Sequence, residues 1–364
     1  MSKPIRVLHV VTHMNRGGLE TMLMNYYRNI DRNQIQFDFL VHRSQRADYD
    51  DEIQALGGRT YRLPPLNPIN VAYRAKLRHF FKHHPEYKIV HSHLDCMSAV
   101  PLKAAKEAGV PVRIAHSHNI SQDKNIKYPV KLFYKRLIVK YATHLMACGT
   151  QAGTWMFGNK SFSVVKNAID AQQYKFDQNL YHSERIKLGL TPNDILIGHV
   201  GRFSPQKNHQ FIIDIFAECL KMNQRSKLIL VGDGTLRSQI EEKARILGIE
   251  KNIIFTGIRT DVNRLMQAMD VFIFPSIYEG LPLTIVEAQA AGLPCLISDA
   301  VPHECKLTNL VEQIPLAYGA AFWAKRILEI SSAARSDTYK QIQDSGYDIK
   351  CQANKLTQFY VSLL

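Results

Sequence analysis

Short, apolar, β-branched runs alternate with longer stretches of helical periodicity along the whole chain. Val7–Val11, Phe37–Val41, Ile89–His91, Val112–Ala115 and Leu145–Ala147 read as strands. A second series follows at Ile195–Val200, Leu228–Val231, Ile253–Thr256, Val271–Phe274 and Cys295–Ile297. Between them, apolar residues recur at three- and four-residue spacing in Leu19–Ile30, Asn70–His84, Met97–Ala108, His209–Met222, Leu236–Leu247 and Val262–Met269. Strands that are apolar on both faces belong to parallel sheets covered by helices on either side. The pattern therefore predicts an α/β protein of two doubly wound domains, residues 1–170 and 171–346. Lys166–Asn179 is polar and lacks periodicity, so the hinge is expected there. A last helix, Tyr347–Leu363, follows Gly346 and has the apolar stripe to pack on either domain.

Composition narrows the class. A chain of 364 residues, 46% hydrophobic and 21% charged, is no disordered protein. No apolar run approaches the roughly 20 residues of a membrane span. The apolar run near the N-terminus is too short for a signal peptide, so a cytoplasmic protein is expected. The cysteines at 96, 148, 219, 295, 305 and 351 form no CxxC pair and read as reduced thiols. Charge is placed unevenly: residues 1–170 hold 25 Lys+Arg against 12 Asp+Glu, whereas the remainder is nearly balanced. That half should meet something anionic.

Four segments fall at the carboxyl ends of strands, where open parallel sheets bind ligands. The first is His13–Glu20, whose Gly17–Gly18 pair lets backbone amides approach a phosphate at a helix N-terminus. GxGxxG is absent, which argues against an ordinary dinucleotide oxidoreductase. In the second, Arg113–Asn119, His116 and His118 follow a similar pair, His91 and His93. No carboxylate arrangement such as HExxH accompanies the four histidines, so no metal site is expected. The third, Gly201–Asn208, presents Arg202 and Lys207 beside a helix start, which suits a diphosphate. The fourth, Phe274–Ala288, carries Glu279 and Glu287 eight positions apart, with Pro282 marking a helix entrance. Carboxylates accept hydrogen bonds from hydroxyls, so this pair fits a sugar and a ribose.

Together VGRFSPQKN, LVGDG, FTG and YEGLPLTIVEAQAAGLP resemble the GT-B glycosyltransferases of the large retaining family four, in particular those that build bacterial capsular and exopolysaccharides. HSHLD at 91–95 and RIAHSHN at 113–119 fit the same group. The resemblance implies two Rossmann-like domains facing a central cleft, a C-terminal helix (347–364) returning to an acceptor-binding N-domain, and a C-domain that binds a nucleotide-sugar donor. It implies that Arg202 and Lys207 hold the donor diphosphate, Glu287 the ribose, and Glu279 the donor sugar. Gly17 and Gly18 would close over the phosphates, with Gly280 in the phosphate loop. A cleft histidine is implied at His118 or, two residues away, His116. Many members have a second glycine where this chain has YEGLPL; Pro282 has no N–H, so the phosphate contact shifts to Leu283 or Thr284.

Asp48-Tyr49-Asp50 is formally a DxD, but in RADYDDEIQALGG it reads as an acidic helix start. No metal and no cofactor beyond a UDP-sugar co-substrate is expected. The basic half gains a partner in this reading. Lys124, Lys127, Lys131, Lys135, Arg136 and Lys140 interleave with apolar residues, and Arg74, Lys76, Arg78 and Lys82 lie beside Phe80 and Phe81. Such faces suit an anionic membrane carrying a lipid-linked oligosaccharide acceptor, with peripheral attachment to the inner face of the cytoplasmic membrane. No nucleic-acid motif is present. A UDP-sugar epimerase and a non-catalytic GT-B subunit are the rival readings.

Overall fold

The computed structural model describes residues 3–119, 126 and 128–364. The chain divides into two compact units, Met1–Ala168 with Ile349–Leu364, and Ile169–Asp348. In the first, strands β1 (Ile5–Val11), β2 (Ile35–Val41), β3 (Thr60–Arg62), β4 (Ile89–Ser92), β5 (Val112–Ser117), β6 (His144–Ala147) and β7 (Ser163–Val164) form a parallel sheet in the order β3-β2-β1-β4-β5-β6-β7. The second contains β8 (Ile195–Val200), β9 (Ser226–Val231), β10 (Ile253–Gly257), β11 (Val271–Phe274), β12 (Cys295–Ser298) and β13 (Val311–Ile314), parallel in the order β10-β9-β8-β11-β12-β13. Both are Rossmann-like, with helices over the sheet faces.

The absence of polar alternation in the central strands follows from this cover. Along β1, alternate residues feed opposite cores: Val7 and Val11 pack with the Gly18–Asn29 helix, while Leu8 and Val10 pack toward the Val71–His83 and Ala99–Glu107 helices. Each such side chain, wholly buried, contributes about 1.5–3 kcal/mol relative to exposure. The C-terminal helix, Ile349–Ser362, belongs to the first unit. Its Ile349, Ala353, Leu356 and Tyr360 complete the core beneath the Gly18–Asn29 helix.

Several details depart from the sequence reading. Lys166–Asn179 is not a bare hinge: Ala171–Tyr174 is a helical turn, and Asp177 caps the next helix by accepting from the Asn179 and Leu180 amides at 2.7 and 3.1 Å. Phe80 and Phe81 are buried among the helices and offer no surface to a membrane. Asp48 and Asp50 serve the fold. Asp48 accepts from the Arg16 amide at 3.0 Å, and Asp50 pairs with Arg62 and accepts from the Ala47 amide at 2.8 Å, opening the Asp50–Ala55 helix. Lys124 and Lys127 lie outside the described residues.

Candidate active site

Each sheet reverses its strand order between its first and fourth strands, β1/β4 and β8/β11. Chains leaving such a pair turn to opposite faces and open a crevice at the carboxyl ends. All four segments singled out in the sequence emerge at or beside these crevices.

In the second unit the loops after β8 and β11 are fastened to each other. Pro205 starts a single 3₁₀ turn, Pro205–Lys207, and Asn208 ends it in the left-handed region at φ 57°. Asparagine tolerates that conformation better than most residues. Asn208 Nδ2 donates to the Pro275 carbonyl at 3.1 Å, Gln206 Nε2 to Tyr278 at 3.0 Å, and the Ile277 amide to Gln206 at 2.9 Å. Lys207 Nζ donates to Glu279 Oε1 at 2.7 Å and stands 4.4 Å from the centre of the Phe274 ring. Only 17% of the lysine and 6% of the glutamate side chain is exposed. Desolvation offsets most of the attraction in such a pair, so its effect is to hold both groups in place. Arg202 is exposed and makes no ion pair among the described residues, leaving its guanidinium donors open to a ligand.

Behind this loop lies LVGDG. Gly232 has φ +135°, and a Cβ there would collide with the Gly201 carbonyl. The Phe203 amide donates to Asp233 at 3.0 Å. Glycine is needed because two backbones meet.

Beyond Gly280, which has open space around it, the Leu283–Ala290 helix begins without a side-chain cap at Pro282. The amides of Leu283 and Thr284, in its first turn, therefore have no intrahelical acceptor and carry the positive end of the helix dipole. Glu287 is one turn further on. Its carboxylate accepts a hydrogen bond from the Tyr174 hydroxyl, yet burial dominates and pushes its pKa up to about 7. Tyr174 is pushed well above the usual tyrosine value by burial and then by the Glu287 charge. Tyr174 was not singled out in the sequence, because it lies in the segment read as a hinge.

In the first unit, Gly17 precedes the Gly18–Asn29 helix, and the Glu20 carboxylate folds back against it; a side chain on Gly17 would strike that carboxylate. Burial pushes Glu20 above the usual glutamate value. A carboxyl group therefore already occupies this helix end. The histidines form a ladder on one face of the sheet. His9 and His91 are cross-strand neighbours, and His93, His116 and His118 extend the same face. His9 Nδ1 meets His93 Nε2 at 3.0 Å, His93 Nδ1 meets His118 Nε2 at 2.9 Å, and His91 Nε2 meets His116 Nδ1 at 3.2 Å. His91 Nδ1 is 2.7 Å from the Tyr360 hydroxyl. His116 is buried, whereas His118 is partly open. Desolvation depresses all five, His9 and His118 to about 3, so the ladder is neutral at pH 7. His9 had no visible partner in the sequence; only strand register brings it to the others.

Two Rossmann-like sheets with crevices at their carboxyl ends are the architecture of known GT-B glycosyltransferases. The family profile for glycosyl transferases group 1 matches residues 182–310, and that for the glycosyl transferase 4-like domain matches residues 17–158. The chain belongs to the GT-B glycosyltransferases of the bacterial polysaccharide-biosynthesis type. It is 37% identical to the putative glycosyltransferase EpsF of Bacillus subtilis, over 98% of this chain and 96% of that protein. It is 29% identical to the UDP-Gal:alpha-D-GlcNAc-diphosphoundecaprenol alpha-1,3-galactosyltransferase of Escherichia coli, over 62% of this chain and 61% of that enzyme. The fold also matches Anabaena Alr3699/HepE in complex with UDP, with a TM-score of 0.80 at 19% identity, over 98% of this chain and all of that one.

Proposed function

We propose that the protein transfers a hexose or N-acetylhexosamine from a UDP-sugar to a lipid-linked saccharide, with retained anomeric configuration, in capsular or exopolysaccharide synthesis. The observation that carries this reading is the pair of fastened loops holding Lys207 and Glu279 together beside the free guanidinium of Arg202, with Glu287 one turn into the following helix. Arg202, Lys207 and the Leu283 and Thr284 amides neutralise the departing diphosphate, so that the donor site needs neither metal nor cofactor. Glu287 receives the ribose hydroxyls, and Glu279 accepts from the donor sugar while orienting Lys207. The acceptor hydroxyl attacks on the face the diphosphate leaves, and no covalent carboxylate intermediate is required. On the first unit we assign contact with substrate to the more open His118, with His116 behind it. Gly17 and Gly18 stay as the phosphate-closing loop, with Glu20 moving aside. UDP in the Anabaena neighbour and the diphosphoundecaprenol substrate of the Escherichia coli relative support the donor and acceptor classes.

Among the described residues, no helix is long and apolar enough to cross a membrane. We propose peripheral attachment to the cytoplasmic face of the membrane through a groove of about 370 Å³ whose lining includes Arg74, Arg78, Lys103, Phe133 and Tyr134. Exposed Ile69, Val71, Val130 and Phe133 supply apolar contacts near a basic rim. Co-sedimentation with anionic liposomes at low salt tests this, and no binding there would refute it.

Calorimetric titration with UDP, GDP and ADP, each with and without EDTA, tests the donor site. Tight UDP binding indifferent to EDTA is expected; binding of none would overturn the assignment. Arg202→Gln separates chemistry from folding, because the residue is exposed and unpaired. It should lower transfer by about 10²–10³-fold, the usual loss for one charge-stabilising donor, with unchanged thermal unfolding.

A further inference from the structure

We propose that His93, His116 and His118 form a binding site for a borderline transition-metal ion, zinc being the reference case, at the carboxyl ends of β4 and β5. One ligating atom from each of the three residues lies within 4.8 Å of the other two. His116 Nε2, one of the ligand nitrogens, is buried without a hydrogen-bond partner. A buried polar atom left unpaired is uncommon and points to something it was meant to meet.

The donor set selects the ion. Three uncharged imidazoles suit zinc, cobalt, nickel or copper and offer nothing to magnesium or calcium, which take oxygen. Zinc–imidazole bonds of about 2.0–2.1 Å in a tetrahedral site set ligand nitrogens roughly 3.4 Å apart. His93 Nδ1 and His118 Nε2 stand at 2.9 Å, so this pair has to open by about half an ångström. With His93 Nε2–H donating to His9 Nδ1 at 3.0 Å, the proton between His93 and His118 sits on His118 Nε2; its shift to His118 Nδ1 frees both lone pairs for the ion with no net proton loss. His116 binds through Nε2 when its Nδ1–H donates to His91 Nε2, whose own Nδ1–H then donates to Tyr360. The rest of the ladder thus orients the ligands, as outer partners do in metal sites.

Charge compensation stands alongside. Asp95 accepts from the His118 amide at 3.3 Å and from Asn119 Nδ2 at 2.5 Å, which fixes its carboxylate beside the trio. A second trio, His9–His91–His93, shares His93 and lies deeper. The outer trio is favoured because His118 gives a way in, and three histidines leave a fourth position for water or another oxygen.

The test uses the full, untagged chain, stripped with EDTA and desalted, then titrated with Zn²⁺ against a chromophoric chelator and separately with Co²⁺. One high-affinity ion per chain is expected, with the strong visible absorption of nitrogen-ligated four- or five-coordinate Co²⁺ and no competition from excess Mg²⁺. His93→Gln and His116→Gln should each weaken zinc by at least about 100-fold. His79 and His83, stacked at 3.8 Å on an exposed helix face, are the obvious adventitious chelators, and the double variant H79Q/H83Q should leave the high-affinity ion in place. No high-affinity ion, a weak octahedral Co²⁺ spectrum, or zinc lost with H79Q/H83Q but kept in H116Q would overturn the proposal. Because the readout is the metal itself, failure of the sugar-transfer reading would leave this result unaffected, and the reverse also holds.

Discussion

Glu287, to which we assign the ribose contact, shows how a carboxylate is held at a cost. Burial raises its pKa from the ordinary 4.5 to about 7, with one hydrogen bond from Tyr174 opposing. Between those values the folded chain keeps a proton that the unfolded chain has released, so stability falls as pH rises through that window, by about 3 kcal/mol in all. Glu287→Gln should raise the melting temperature at pH 8 and leave it unchanged near pH 4.5; an equal shift at both would refute the burial argument. Ribose hydroxyls donating to this carboxylate favour its charged form. UDP affinity should then strengthen between pH 5.5 and 7.5 by a margin that Glu287→Gln removes. At this scale the sequence was partly legible. Lys207, Glu279 and Glu287 are picked out by the motifs the chain shares with the GT-B glycosyltransferases, but their partners are not. The contact of Lys207 with Glu279 spans 72 residues, and Tyr174 reaches Glu287 from a segment with no pattern of its own.

Among the elements, β8 and β11 have the bounds their apolar runs predict, because central strands are buried on both faces and have no polar positions to blur them. Strands β3, β7 and β13 escaped notice for the opposite reason. They lie toward or at sheet edges, number three, two and four residues, and carry polar or exposed side chains. The histidine ladder was half visible, as pairs on two strands, and became a single structure only through the register of β1 with β4. Its elements titrate in the direction opposite to Glu287. The folded imidazoles are depressed, so below pH 6.5 the unfolded chain binds protons that the folded one refuses. Each buried ring then removes about 1.4 kcal/mol per pH unit until its own folded pKa is reached. A steep drop in melting temperature between pH 6.5 and 5 is expected. His116→Gln should make that drop shallower. An unchanged melting temperature across this range would mean that the rings are not sealed from water.

For the molecule as a whole, the route of the chain matters as much as its two sheets. Chain that leaves the first unit at Ala168 comes back to it at Ile349, and the return segment is part of the core. Tyr360→Phe leaves His91 Nδ1 buried without its 2.7 Å partner and should cost about 1–3 kcal/mol, read by denaturant unfolding. UDP binding, which we assign to the second unit, should survive it. The apolar stripe of the last helix was legible, but not its destination, since an amphipathic face states that it will be covered and not by what.

That route also orders events during synthesis. Residues 169–348 hold all six strands of their own sheet, and their two ends are paired by a parallel bridge from Ile169 to Asp348. As the ribosome works from the N-terminus, this later-made segment has every part it needs before the earlier-made one does. The first seven strands must wait, with the face meant for Ile349, Leu356 and Tyr360 still uncovered, until the Ile349–Ser362 helix has been made. A nascent chain stalled before the helix from Ile349 would therefore carry a finished second unit and an exposed apolar face on the first, which is the form that chaperones recognise and that aggregates.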